Sequence, residues 1–403
     1  MQAESATGRP PFGLALFFST NYSYILFIDH LSQEVFVNIL ELCLSPDYGG
    51  LEIHMRDFSR WLSQKPECTL SLSLREGSRL EDALQPLQRP ILTFPKKAGK
   101  FPLAAAKKLA KFIVRQDIDV VHVHWKNDLP LAALTKSVCS KKFKLVHTRQ
   151  MNMPGKKKGL YHQYIYRSLD LFIAITKYLQ KQAEAHLPLT KEKIRQIYYG
   201  VDMPEHVTPE RTAELKKRFK FKDKFHVGLF GRIDEYKGQH LLLEAVEQLT
   251  QQGLDIHAGI VGAAFDPNYE QSLRERAKEK GLENRFHFFG FYDMPIELMT
   301  CFDTIVLTTK NETFGLVLIE AMFAGIAVIG SNAGGVPEII DHEKTGLLFE
   351  TWNADDLAQK IKRLAEEAPF RQALAAAGQK KAHEQFNLDI QYEKFYQALK
   401  SVL

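Results

Sequence analysis

The chain contains 403 residues, of which 45% are hydrophobic and 25% are charged, a balance typical of a globular protein with two or three domains. This composition excludes a disordered, collagenous or coiled-coil chain, and no uninterrupted apolar run reaches the ~20 residues that a membrane span needs. The four cysteines are scattered without a C-x-x-C pair. Their spacing argues against a disulfide framework, a zinc finger or an iron–sulfur site and favours a reducing compartment.

Charge is divided unevenly along the chain. Residues 37–205 hold 28 Lys and Arg against 16 Asp and Glu, whereas residues 206–403 hold 24 against 29. This asymmetry predicts two domains with different partners. The basic first half fits either a solvated lysine surface or a surface that meets anionic lipid or a phosphorylated acceptor.

The first 36 residues differ from the rest. Their apolar and aromatic run, residues 14–28, is interrupted by polar side chains and makes a weak signal peptide or anchor. We expect this N-terminal extension to lie outside the folded unit, with Val37 as the first residue of the native protein. Mass spectrometry of the native N-terminus tests this expectation.

From residue 37 onward, short apolar runs alternate with helical stretches. Strands are predicted at 37–44, 120–124, 144–147, 171–175 and 193–198, and, after a polar segment at 199–224, near 225–230, 256–261, 285–289, 304–308, 326–330 and 346–349. Such alternation predicts parallel sheets covered by helices on both faces. We therefore predict an α/β protein with two doubly wound, Rossmann-like domains, 37–203 and 204–385, facing each other across a cleft, and a last segment at 386–403.

The strongest chemical signal lies in Asn311–Met322. An almost wholly apolar helix is predicted at 315–324, and it carries Glu320 in its middle. A buried carboxylate needs a partner, which is either a nearby Arg or Lys or a pair of sugar hydroxyls such as those of a ribose. Glu312 just before the helix, and Gly315 in its first turn, leave a helix N-terminus open to an anion.

A second loop, Gly228–Gly238, places Arg232 and Lys237 after an apolar strand. An arginine can bind a phosphate through two parallel hydrogen bonds, and a lysine can bind it as a compact positive charge. Taken alone, however, the pair is explained more simply as two solvated cations in a loop. The P-loop pattern is absent. Two glycine motifs, Gly49-Gly50 and Gly334–Glu338, each precede a predicted helix and are also explained as ordinary turns.

Together, these motifs resemble the retaining glycosyltransferases of family 4, which have the GT-B fold. The resemblance runs from about residue 37 to residue 385. It is carried by Gly231-Arg232, Lys237-Gly238, Glu312 and Glu320 with Phe314-Gly315 between them, Gly334–Glu338, Gly49-Gly50-Leu51-Glu52 and Tyr199-Gly200-Val201-Asp202.

The resemblance implies a role for each matching residue. Arg232 and Lys237 would hold the donor diphosphate, Glu320 the ribose, and Glu312 the donor sugar. The donor-binding set is Gly50, Gly231, Arg232, Lys237, Phe314, Gly315, Leu316 and Glu320. The catalytic set is Glu312, Arg232, Lys237 and Gln150. The last helix, about 388–400, would cross back onto the N-terminal domain, as in other GT-B enzymes.

One position departs from the family. Many relatives carry a His near the donor sugar where this chain aligns Gln150, and Gln binds a hydroxyl but is no general base. If the alignment is shifted, His147 occupies the position of the family histidine instead. Otherwise, His147 is explained as a histidine at the end of a strand whose ring is hydrogen-bonded to the backbone. The acceptor side is assigned to Glu52, His147 and Arg149, of which Arg149 suits an anionic acceptor or a donor carboxylate.

Lysines concentrate in the predicted acceptor domain. Their clustering is explained about equally well by a surface that binds an anionic membrane and by an ordinary solvated face. The helical stretch at 102–115, which carries three of them, is amphipathic. The lysines concerned are Lys96, Lys97, Lys100, Lys107, Lys108, Lys111, Lys156, Lys157 and Lys158.

The resemblance implies a retaining transfer of a hexose or heptose from a UDP-, GDP- or ADP-linked sugar to a sugar or lipid-linked acceptor, in bacterial lipopolysaccharide, capsule or glycolipid synthesis. We recognise no Asp-x-Asp pair and no carboxylate cluster with metal-ligand spacing, so neither metal nor cofactor is expected, and nucleic acid is no expected partner. The enzyme would be cytoplasmic, either free or on the inner face of the membrane. Alternatives are a soluble disaccharide or glycogen-type synthase, a sugar-nucleotide epimerase, and a non-catalytic nucleotide-sugar-binding protein.

Overall fold

A computed structural model describes residues 36–95, 102–202 and 207–403. The predicted N-terminal extension, apart from Phe36, lies outside the described residues, and so do Lys96, Lys97, Lys100 and the predicted domain boundary at 203–204. From Phe36 onward the chain forms one compact unit.

The first half of the chain builds a seven-stranded sheet in which every neighbouring pair is parallel. Its strands are β1 (Val37–Cys43), β2 (Cys68–Arg75), β3 (Ile91–Phe94), β4 (Val120–Val123), β5 (Lys144–Arg149), β6 (Leu171–Ala174) and β7 (Ile194–Gln196). The order β3-β2-β1-β4-β5-β6-β7 reverses between β1 and β4. A crevice forms at such a reversal, beyond the carboxyl ends of the strands.

Six helices connect these strands. They are α1 (Gly50–Leu62), α2 (Arg79–Leu84), α3 (Pro102–Arg115), α4 (Leu129–Val138), α5 (Leu160–Arg167) and α6 (Lys177–His186). The buried side of α1, with Met55, Phe58 and Leu62, packs onto the core of the first sheet. This helix therefore begins at the crevice and runs back along the sheet.

The second half repeats the design with six parallel strands. These are β8 (Phe225–Phe230), β9 (Ile256–Val261), β10 (Phe286–Gly290), β11 (Thr304–Leu307), β12 (Ala327–Ser331) and β13 (Leu347–Phe349). The order is β10-β9-β8-β11-β12-β13, with the reversal between β8 and β11. The helices are α7 (Pro209–Arg218), α8 (Gln239–Gln251), α9 (Pro267–Glu279), α10 (Pro295–Met299), α11 (Leu316–Phe323), α12 (Val336–Ile339), α13 (Ala354–Glu366), α14 (Ala368–Gln385) and α15 (Leu388–Lys400).

The last helix, α15, contacts the first half of the chain. The indole Nε1 of Trp61 donates to the carboxylate of Asp389 over 2.9 Å, and Lys65 pairs with Glu393 over 2.9 Å. Tyr392 and other apolar side chains of α15 belong to the same buried core as the first sheet. Among the described residues, no helix combines the length and the hydropathy needed to cross a bilayer.

Candidate functional site

The loops after β8 and β9 are locked together at the carboxyl edge of the second sheet. The amide of Gly231 donates to the carbonyl of Val261 over 2.9 Å, and a Cβ on Gly262 would lie 1.9 Å from the carbonyl oxygen of Gly231. Gly262 has a φ of 155°, so glycine is required here both by the space and by the backbone. The close approach fixes the position of Arg232, the next residue.

Lys237 and Glu312 meet across the strand reversal. Their side chains form an ion pair with an Nζ–Oε2 distance of 2.9 Å, and both are about three-quarters buried or more, at 27% and 19% exposed. Thr308, at the end of β11, donates its hydroxyl to the carbonyl of Lys237 over 2.6 Å. The structure therefore brings together two residues that the sequence assigned to the same site from separate motifs.

Glu320 lines a cavity of about 290 Å³ at the ends of β8 and β9. The wall also includes Gly231, Arg232, Tyr292 and Val317. No described side chain pairs with the Glu320 carboxylate, so the Arg or Lys partner considered above is not found among residues 36–95, 102–202 and 207–403. Burial raises the pKa of Glu320 to about 7, because no counter-charge offsets the loss of solvent.

Arg232 borders the same cavity with an exposed guanidinium. The guanidinium lies over the ring of Phe265, with 5.0 Å between the guanidinium carbon and the ring centroid. Within the described chain no carboxylate pairs with it. A cation held against an aromatic face, beside an unpartnered carboxylate, can receive an anionic group without first breaking an ion pair.

The turn before α11 has the geometry of an open helix N-terminus. Gly315 adopts a φ of 101° as the N-cap, and no side chain caps the helix. The first amides of α11, beginning at Leu316, are consequently available to an anion. Phe314 is buried, and its ring packs against Tyr198 and Tyr199 of the first half at centroid distances of 6.0 and 6.2 Å.

On the first sheet, Gly50 begins α1 at the crevice. A Cβ on Gly50 would meet nothing within 4 Å, so the space beside it is open. Glu52, predicted on the acceptor side, is 4% exposed, and its carboxylate accepts from the amide of Gly49 over 2.8 Å. The Glu52 carboxylate therefore caps the N-terminus of α1, and its place on the acceptor side stays a prediction.

The other two residues assigned to the acceptor side, His147 and Arg149, are also hydrogen-bonded to the backbone around them, and their acceptor role stays a prediction. His147 is buried within β5, where its Nδ1 hydrogen-bonds the carbonyl of Val123 over 2.8 Å. Burial lowers the pKa of His147 to about 3. The guanidinium of Arg149 donates to the carbonyls of Met151 and Asn152 over 2.6 and 2.7 Å, so it holds its own loop.

Unlike His147 and Arg149, Gln150 does not form hydrogen bonds with the described backbone around it. Both polar atoms of its side-chain amide are shielded from solvent and lack a hydrogen-bond partner. Among the described residues, the Tyr199 hydroxyl has no well-aligned hydrogen-bond partner either, although it lies close enough to the Gln150 amide to interact with it, and its ring stacks on His54 at 3.6 Å. Unmet donors and acceptors are costly in a folded protein, so this group is suited to a polar ligand.

A buried polar cluster in the first sheet escaped the sequence analysis. Glu41 on β1 accepts from His122 on β4 over 2.9 Å and from His124, which directly follows β4, and all three side chains are fully buried. Burial would raise the pKa of Glu41, but the two imidazoles hold it at about 2. Most of these donors and acceptors satisfy one another, but the buried Nδ1 of His124 has no hydrogen-bond partner among the described residues. Three such groups within 4.8 Å also have the composition of a metal site. The alternation of His122 and His124 opposite a lone acidic residue in β1 was the available signal.

An Asp-x-Asp pair, Asp117 and Asp119, was also overlooked. Both residues precede β4 and pair with Lys141, and Asp119 also accepts from the amide of Asn38. They therefore lie at the amino ends of the strands, the edge opposite the crevice. The pair consequently does not belong to the candidate site.

Solved structures with this architecture are GT-B glycosyltransferases. The crystal structure of Anabaena Alr3699/HepE in complex with UDP aligns with a TM-score of 0.80 at 23% identity, over 91% of this chain and 100% of that one. A glycosyltransferase from Rickettsia africae aligns with a TM-score of 0.83 at 22% identity, over 91% and 98%. The fold is therefore GT-B.

Sequence comparison gives the family. The family model of glycosyl transferases group 1 matches residues 210–381, and that of Glycosyltransferase Family 4 matches residues 48–204. The chain belongs to the group 1, family 4 glycosyltransferases.

Curated relatives carry several activities. N-acetyl-alpha-D-glucosaminyl L-malate synthase of Bacillus anthracis is 24% identical over 305 residues, which are 73% of this chain and 79% of that protein. The lipopolysaccharide core biosynthesis mannosyltransferase LpsB of Rhizobium meliloti is 27% identical over 263 residues, 64% of this chain and 71% of that protein.

Proposed function

We propose that this glycosyltransferase moves a hexose or heptose from a nucleotide sugar to a sugar or lipid-linked acceptor, with retention of the anomeric configuration. The observation that carries the proposal is Glu320, a carboxylate with no partner among the described residues, in a cavity that Arg232 also lines. A carboxylate accepts two hydroxyl hydrogen bonds, as a ribose offers, and Arg232 and Lys237 supply the positive charge that a diphosphate requires.

The solved relatives support this assignment of the donor. Anabaena HepE has been crystallised with UDP and with UDP-glucose. A ribose at Glu320 puts the diphosphate toward Arg232, Lys237 and the open amides at Leu316. Gly50 approaches the same phosphates from the first sheet, where a side chain would occupy the open space.

Catalysis in this arrangement is electrostatic. The bond between the anomeric carbon and the phosphate oxygen breaks, and negative charge builds on that oxygen. Arg232, Lys237 and the N-terminus of α11 stabilise this charge without reorganising during the reaction. The acceptor hydroxyl bonds to the anomeric carbon on the face that the phosphate leaves, and its proton passes to the departing diphosphate. We propose that no metal takes part.

Glu312 and Gln150 act on the donor sugar. Glu312 is held by Lys237 in the loop that faces the first sheet, and its carboxylate accepts from sugar hydroxyls. The unpartnered amide of Gln150 supplies both a donor and an acceptor to the same sugar from the opposite side. Neither residue needs to act as a general base, because the leaving diphosphate takes the proton.

The acceptor is proposed to be lipid-linked, which puts the first domain at an anionic membrane surface. Exposed Lys107 and Lys111 lie on α3. On α5, Leu160, Tyr161 and Tyr164 are 84%, 61% and 47% exposed. Lysines beside exposed aromatic and aliphatic side chains are typical of proteins that lie on a membrane. The pathway would be lipopolysaccharide, capsule or glycolipid synthesis, as in the lipopolysaccharide-related relative LpsB.

Ligand-observed NMR with UDP-, GDP- and ADP-sugars tests the donor assignment. We expect saturation transfer to one nucleotide series, lost in Glu320→Gln and kept in the exposed control Glu384→Gln. Binding by none of the nucleotides would contradict the proposal and favour a protein that has kept only the fold. Turnover of the donor without an acceptor and without release of nucleotide would instead indicate an epimerase.

A further inference from the structure

Glu338 joins the two halves of the molecule. It lies in α12, after β12, in the glycine-rich motif Gly334–Glu338, to which no chemical role has been assigned so far. Its two carboxylate oxygens accept separately from the backbone amides of Lys177 and Tyr178, each over 2.7 Å. Those amides belong to the first turn of α6, so one side chain of the second domain caps a helix of the first.

The cap is complete only with Glu338 in place. The first amides of a helix have no partner within the helix, and Thr176 satisfies one of them by accepting from Leu179 over 3.1 Å. Glu338 satisfies two more and puts its negative charge at the positive end of the α6 dipole. Burial, then the charge of Glu338, raises the pKa of the neighbouring Tyr198 well above its usual range.

The turn at Gly334 and Gly335, just before α12, packs closely against the loop that carries Glu312. The amide of Gly335 donates to the carbonyl of Glu312 over 2.9 Å, and a Cβ on Gly334 would lie 1.9 Å from that carbonyl oxygen. From α6, the hydroxyl of Tyr178 donates to the side chain of Asn311 over 3.3 Å. The start of α6 therefore contacts both the loop that carries Glu312 and the turn that supports it.

We propose that Glu338 is a positioning residue that fixes the position of the first domain relative to the loop that carries Glu312. It holds Glu312 and Lys237, which act on the donor, at a fixed separation from Gln150 and the acceptor crevice of the first domain. Most of the proposed nucleotide-binding residues, Glu320 and Lys237 among them, belong to the second domain, whereas transfer needs groups from both domains. This inference rests on the proposed function for its kinetic part, and its structural part is tested independently.

Hydrogen-exchange mass spectrometry of residues 175–180 tests the structural part on the full chain. Glu338→Ala should speed exchange of the Lys177 and Tyr178 amides at least fivefold, and Glu338→Gln, which keeps one oxygen acceptor, should give an intermediate rate. The control Glu343→Gln removes a surface pair with Arg363 and should leave these amides unchanged. Unchanged exchange in both Glu338 variants would overturn the cap.

Hydrolysis of UDP-glucose tests the kinetic part. We expect Glu338→Gln to lower kcat about tenfold or more and to leave the Kd for UDP within twofold, because a small misplacement of reacting groups reduces rate more than binding. Equal loss of kcat and of UDP affinity, or no loss of either, would overturn the positioning role. Failure of every variant, wild type included, to bind UDP would count against the donor assignment for UDP and leave the exchange result standing.

Discussion

Glu320 carries the most specific prediction at the scale of single residues. Its pKa is raised from the ordinary value of 4.5 to about 7, so the folded state favours the protonated carboxyl. The stability associated with that proton is complete below about pH 4.5 and is lost as the pH rises through 7. We therefore expect Glu320→Gln to increase the free energy of unfolding at pH 8 by about 1–3 kcal/mol and so to raise the melting temperature. At pH 4.5 the substitution should change both quantities little.

Thermal unfolding of wild type and Glu320→Gln at the two pH values measures this difference. Glu384→Gln, an exposed residue on α14, serves as the control and should give the same shift at both pH values. A wild type as stable at pH 8 as the variant would show that the carboxylate has a partner in the folded protein. Such a result would also remove the reason to assign it a ligand.

Residue types and their spacing predicted part of the candidate site. Glu312 and Glu320, eight residues apart around a glycine, stand out in an apolar helix and its preceding loop. The pairing of Glu312 with Lys237 is a contact across the sheet reversal, which no local pattern encodes. The sequence pattern also could not predict that Glu52 and Arg149 form hydrogen bonds with the backbone of residues close to them in the chain.

At the scale of elements, α3 and α5 carry the membrane prediction. Replacing Leu160 and Tyr161 by Ser removes exposed apolar surface without touching the core, so folding should be retained. We expect this double variant to lose most of its sedimentation with phosphatidylglycerol vesicles. Wild-type binding should also fall steeply with salt and vanish on phosphatidylcholine vesicles, because lysines supply the attraction.

The matched control reverses charge elsewhere. Lys216 and Lys217 are exposed on α7 of the second domain, and Lys216→Glu with Lys217→Glu should bind vesicles like the wild type. Binding that is insensitive to salt and to lipid charge would refute the electrostatic surface. An absence of binding to any vesicle would favour a soluble acceptor, as in the disaccharide-synthase alternative.

Sequence pattern predicted elements with a continuous apolar side, but it missed the longest strand and the longest helix of the described residues, β2 and α14. The last helix, which the family resemblance implied at about 388–400, matches α15. Strands β2 and β3 were missed, since β2 buries Ser71 and Ser73 where a strand pattern would show apolar residues. Helix α14 was missed as well, because apolar and polar residues alternate around it without a clear face.

At the scale of the whole molecule, the sequence predicted two parallel sheets from the alternation of strands and helices. It could not predict how the halves meet, because that interface depends on single polar contacts such as Glu338 with the start of α6. The aromatic contacts of Phe314 with Tyr198 and Tyr199 are of the same kind. Contacts between residues far apart in sequence leave no periodic trace in either segment.

Release of nucleoside diphosphate from UDP-glucose, GDP-mannose and ADP-glucose tests the central claim most directly. The comparison is between wild type, Lys237→Met and Lys360→Met. Lys360 is a matched control, since it is 24% exposed and pairs with Asp356 in α13, as Lys237 pairs with Glu312. Wild type and Lys360→Met should release one diphosphate at equal rates, and Lys237→Met should be about 10²-fold slower. Equal rates in all three enzymes, or no release from any donor, would contradict the account.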